Sequence, residues 1–226
     1  MPIIDQHYSN SRANMGFKLF LPEQYGSPTM GPFPLLLFLH GIKRRGSDLR
    51  LLDGYGLLGI AEHREHFPYL LIAPQCPEAT FWPEHRDLVL GIVEQVSQAY
   101  RVDRSRVYLT GFSMGGNGVW DLAANTEGVF AAAAPLAGWY DPTSAARLRS
   151  TPVWAFHGED DDTVPIAGSV EMIQAIAEAG GTPRFTKLPN HGHAIMDVTY
   201  ERPELWEWFL LHSTKYEGGN PHRPDR

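Results

Sequence analysis

The chain has 226 residues, 43% of them hydrophobic, and a formal net charge of -7. That length suits one domain with a sizeable core, since α/β domains of this size are often undivided. The mild acidity disfavours nucleic acid and anionic membrane surfaces as partners, no window approaches the roughly 18 apolar residues of a membrane span, and one cysteine, Cys76, excludes an intrachain disulfide.

Residues Met1 to His7 carry neither a basic segment nor an apolar one of signal-peptide type, so a cytoplasmic location is expected. Phe17 to Leu21 alternates apolar and polar residues before Pro22 and predicts an early antiparallel strand. Pro34 to His40 and Tyr69 to Ala73 are apolar almost throughout, as in strands buried on both faces of a parallel sheet. Cys76 follows the second of these and reads as a small buried or half-buried thiol rather than a nucleophile.

From Asp87 to Tyr100, Leu88, Ile92, Val96 and Ala99 recur at helical spacing on one face. Arg106 to Thr110 predicts a strand and Gly118 to Ala124 a helix. Ala131 to Leu136 and Pro152 to His157 predict two further strands. Val170 to Ala179 is an amphipathic helix stopped by Gly180 and Gly181. A last strand at Arg184 to Leu188 and a terminal helix at Glu204 to Leu211 complete the series. Strands alternating with helices imply βαβ units and a mostly parallel sheet in one domain, residues 1–214. The polar, Gly- and Pro-containing tail, 215–226, is expected to be disordered.

The chemistry concentrates at Gly111-Phe112-Ser113-Met114-Gly115, a G-x-S-x-G pattern. A strand before it and a helix after it are the context in which this pattern makes a strained turn that lifts a serine hydroxyl clear of the sheet. The glycines leave room for the neighbouring strand and helix, and the Met114 amide opens the helix, where an oxyanion can be held. A serine nucleophile also needs a base and an orienting carboxylate, each in a loop after a later strand. His157 to Pro165 offers Glu159, Asp160, Asp161 and Asp162, of which one can point inward. Leu188 to Ala194 offers His191 and His193. Their H-x-H spacing supplies two metal ligands at most, so the base reading fits better than a metal site. The second oxyanion donor is expected from the loop His40 to Gly46, where Gly41 and Gly46 allow a tight turn and Ile42 presents its amide.

Leu39-His40-Gly41, Ala73-Pro74-Gln75-Cys76-Pro77 with Trp82, and the run from Val102-Asp103 through Arg106 to Trp120 together resemble the α/β-hydrolase superfamily. They are similar in particular to its phospholipase/carboxylesterase and "predicted peptidase" group, related to polyhydroxybutyrate depolymerase-like and feruloyl esterase-like enzymes. The resemblance implies a mostly parallel central sheet flanked by helices, no cofactor and no metal. Its H-G-x-x-D-x-x-V-P pattern implies Asp161 as the acid, ahead of Asp160 and Asp162, and its G-H pair implies His193 as the base, ahead of His191. One departure is Lys43 and Arg44, which stand where the group has H-G-x-G.

The reading that follows is a serine carboxylesterase acting on short acyl or aryl esters, with Ser113, His193 and Asp161 as its triad and the Ile42 and Met114 amides as its oxyanion hole. Feruloyl or acetyl-xylan esterase is the nearest alternative, then a serine peptidase, then a non-catalytic protein on this fold. Little room for a cap between Gly138 and the next strand predicts an open site, with Trp82 and Trp139 as candidate aromatic walls and a small-molecule ester as its partner.

Overall fold

A computed structural model describes residues 3–215. All but Lys215 of the expected tail lies outside the described residues. The chain forms β1 (Ile3–Ser9), β2 (Asn14–Phe20), β3 (Phe33–Leu39), α1 (Leu57–His63), β4 (Leu70–Pro74), α2 (Arg86–Ala99), β5 (Val102–Phe112) and α3 (Met114–Asn125). There follow β6 (Ala132–Leu136), β7 (Trp154–Gly158), α4 (Ala167–Glu178), β8 (Arg184–Leu188), α5 (Met196–Tyr200) and α6 (Pro203–Leu210). The eight strands make one sheet in the order β1-β2-β4-β3-β5-β6-β7-β8. The pairs β1–β2 and β2–β4 are antiparallel and the rest parallel.

The apolar runs become the central strands because both faces are covered. In β3, Leu35, Leu37 and Leu39 enter one core with α2, α3 and α4. Leu36 and Phe38 enter the other with α1 and α6. This is the period-two alternation of a strand whose two faces are both buried. An ordinary buried Leu contributes about 2 kcal/mol in such a place.

Sequence periodicity missed β1, whose residues alternate between half-buried and exposed at the sheet edge. It also missed α1 and α5, with seven and five residues, too short to establish a period. Lys18 in β2 is a further surprise. It stands where alternation predicts an exposed side chain, yet it is buried and paired with Asp5 at 2.8 Å and Asp53 at 2.5 Å. Two carboxylates compensate the desolvation of one ammonium.

Candidate active site

The C-terminal ends of the parallel strands carry the site, as open α/β sheets generally do. β5 ends at Phe112, and α3 begins at Met114, so Ser113 alone makes the turn. Its φ of 59° and ψ of -118° lie in a region that side chains avoid, at a cost of about 1–3 kcal/mol. Ser113 N–H donates to the Leu136 carbonyl at 2.9 Å, and Asn117 N–H donates to the Ser113 carbonyl at 3.0 Å, so the turn is fixed on both sides. A Cβ on Gly111 would stand 2.7 Å from the Gly115 carbonyl oxygen, and one on Gly115 would overlap the Leu39 carbonyl. Both glycines are therefore demanded by close approach.

The His193 imidazole reaches this serine from the loop after β8. Its Nε2 lies 2.8 Å from Ser113 Oγ, and its Nδ1 lies 2.8 Å from Asp161 Oδ2. Asp161 sits in the loop after β7 with its side chain fully buried. Its Oδ1 accepts the Thr163 and Val164 amides at 3.0 and 2.9 Å. Burial by itself raises the carboxyl, but the His193 bond and the two amides outweigh it, and the group is held below the ordinary carboxylate value. With Asp161 ionised, Nδ1 of His193 donates and Nε2 is left to accept the serine proton. His191 turns elsewhere, its Nδ1 donating to the Pro189 carbonyl at 2.8 Å. The two loops are held together where Gly158 meets the carbonyls of His191 and Gly192, and where Asp160 N–H donates to the His191 carbonyl at 2.9 Å.

Ile42 starts a short 3-10 turn, Ile42–Arg44, directly after Gly41, and its side chain lines the cleft. Gly41 has φ -76°, which any residue adopts, so its place does not depend on glycine's freedom; Gly46, at φ 141°, does use it. Buried groups outside the turn fix its course without a second early glycine. His40 Nδ1–H donates to the Gly41 carbonyl at 2.7 Å while Nε2 accepts the Cys76 amide at 3.0 Å. Burial, reinforced by Arg44 and Arg45 and opposed by the Gly41 bond, pushes His40 down to about 4, so the ring is neutral. Gln75 Nε2 donates to the Arg44 and Asp48 carbonyls at 3.1 and 2.9 Å. The A-P-Q motif was visible in the sequence, but the job of its glutamine was not. Cys76 is buried, and desolvation raises its thiol to about 11, so it stays protonated.

A cleft of about 490 Å³ opens at Ser113 and His193, bordered by Ile42, Lys43, Arg44, Tyr55, Phe112 and Met196 among others. The Arg44 guanidinium lies 4.5 Å over the Tyr55 ring, and the Phe112 ring lies 4.8 Å from that of His193. Two expectations need correction. Trp82 is 1% exposed and lies in the core, its Nε1–H donating to the His40 carbonyl at 3.0 Å. Trp139 is 37% exposed but is not among the residues that line the cleft. Tyr55, Phe112 and Met196 supply apolar walls instead. Phe112 lies inside the G-x-S-x-G pattern, but nothing in the local sequence marks Tyr55 or Met196, because the segments that carry them meet the site only in the folded chain.

The profile of the dienelactone hydrolase family matches residues 6–203. A putative carboxymethylenebutenolidase of Methylorubrum extorquens is 31% identical over 42% of this chain and 36% of its own length. A probable feruloyl esterase C of Aspergillus niger is 27% identical over 82% of this chain and 68% of its own. A solved thermostable esterase superposes with a TM-score of 0.86 at 29% identity, over 93% of this chain and 63% of that one. In two curated relatives the matched stretch is only 11% and 36% of the whole length. With most of the chain matched by the profile, the protein belongs to the dienelactone hydrolase family and has the α/β-hydrolase fold.

Proposed function

We propose that the protein is a serine carboxylesterase that cleaves small acyl or aryl esters through an acyl-enzyme. The observation that carries this is the unbroken line from Ser113 Oγ through His193 to Asp161, with both bonds at 2.8 Å. Ser113 Oγ attacks the ester carbonyl as its proton passes to His193 Nε2. Asp161 holds the tautomer and stabilises the imidazolium. The Met114 amide, at the start of α3, and the Ile42 amide bind the oxyanion, each donor being worth on the order of 3 kcal/mol of barrier. His193 returns the proton to the leaving alcohol. It then activates the water that frees the acid. The test is p-nitrophenyl acetate hydrolysis by the wild type and Ser113→Ala. A loss of roughly 10³-fold or more is expected, and equal rates would end the reading.

A second reading, an esterase for substrates that carry a carboxylate, is favoured by Lys43 and Arg44 among the residues that line the cleft, where Asp197 is the single acid. The kinship with a protein described as a carboxymethylenebutenolidase is in keeping with it. Mono-p-nitrophenyl succinate should then show a KM several-fold lower than that of p-nitrophenyl acetate, and Lys43→Met with Arg44→Met should remove the difference. Equal KM values would leave the neutral-ester reading standing.

A further inference from the structure

His157 stands next to last in β7, with 0% exposure, and has no place in the proton transfers just described. Its Nε2 lies 2.9 Å from the Val164 carbonyl and 3.2 Å from Asp161 Oδ2. A carbonyl can only accept, so Nε2 carries the hydrogen and donates it to Val164, with Asp161 Oδ2 close beside it. Nδ1 lies 2.8 Å from Ser169 Oγ, and that hydroxyl is also 3.1 Å from the Gly138 carbonyl. Burial, only partly opposed by the Val164 bond and Asp161, lowers the basicity of His157, and the nearness of His193 lowers it further. The titratable groups facing it are those two, Asp161 and His193. The ring is therefore neutral, and the one hydroxyl hydrogen of Ser169 is shared between Nδ1 and the Gly138 carbonyl.

The consequence falls on Asp161. Its Oδ1 accepts two amides, its Oδ2 bonds His193 on one side, and Nε2 of His157 stands 3.2 Å from that oxygen on another. Three hydrogen bonds and the close N–H of His157 fix the plane of one carboxylate within a loop that contains three other acids. We propose that His157 is a positioning residue for the reaction, holding Asp161 Oδ2 in line with Nδ1 of His193. This rests on the triad reading above. Without the His157 donor, Oδ2 can swing about its Cβ–Cγ bond, and His193 loses its fixed partner. A displacement of about 1 Å in such a group costs up to about 100-fold in rate.

Glutamine can place an amide N–H near the imidazole Nε2 position, whereas leucine fills the space with no donor. With p-nitrophenyl acetate, and with kcat expressed per site titrated by the p-nitrophenol burst, His157→Gln should stay within a few-fold of wild type. His157→Leu should lose about 30-fold in kcat with KM little changed. If His157→Leu does not fold, His157→Asn takes its place, since its shorter amide reaches towards Ser169 but not Asp161. A donor-free variant with wild-type kcat overturns the proposal, as does equal loss in the donor-free and Gln variants. Ser113→Ala runs beside them. Activity surviving in that variant overturns the triad reading itself, whereas its loss together with neutral His157 variants overturns only the role of His157.

Discussion

Ser113 holds a backbone conformation that side chains avoid because the Leu136 carbonyl takes its amide and the first turn of α3 takes its carbonyl. The same economy governs Asp161. Four acids stand in a row, but only the third has amides two and three residues on that fold back to its Oδ1. The pattern of acids was plain in the sequence, while the choice among them came only through the resemblance, because an Asx-type turn and a buried oxygen leave no periodic trace. Asp161→Asn keeps the shape but donates to His193 Nδ1 instead of accepting, which favours the wrong tautomer. The expected loss in kcat is about 10⁴-fold with little change in KM, measured on p-nitrophenyl acetate. A loss under tenfold would show that Asp161 does not orient the base.

Between residue and molecule stands the Gly41–Gly46 loop, where the sequence departs from the family's second glycine. Its course is set from outside by three buried donors, Gln75, His40 and the Trp82 indole. Arg45 adds a bond from Nη1 to the Thr80 carbonyl at 3.1 Å. Trp82 was a candidate aromatic wall of an open site, yet it packs against Gly118 of α3, with its ring edge-on to His40 at 5.0 Å. Trp82→Phe should therefore cost about 1–2 kcal/mol in urea denaturation, through the unmet His40 carbonyl, and leave KM unchanged. A KM shift without a stability loss would return the residue to the cleft.

At the scale of the whole molecule, two cores share one sheet, and both buried histidines, His40 and His157, sit at its C-terminal edge and are neutral. His40 falls to about 4 in the folded protein against an ordinary 6.5, so between those values the unfolded chain binds more protons. Its contribution is intact above pH 6.5 and is lost as the pH falls towards 4. Stability should drop by up to about 3 kcal/mol over that window from this group. Thermal melts of His40→Gln should be flatter across it than those of the wild type. Parallel curves would assign the acid sensitivity to other groups.

The amino-acid sequence determined the order of strands and helices, the elbow at Ser113 and the two loops that hold its partners. These are written in local patterns: apolar runs, helical spacing, glycines at fixed offsets. The tertiary structure decided what depends on distant segments meeting. It decided that Lys18 is buried between two carboxylates, and that Trp82 belongs to the core while Tyr55 and Met196 line the cleft. It also decided that His157 lies 3.2 Å from Asp161. A side chain's neighbours across a sheet lie tens of residues away in the chain, so their contacts are fixed by packing and by the satisfaction of buried polar groups, which no local spacing records.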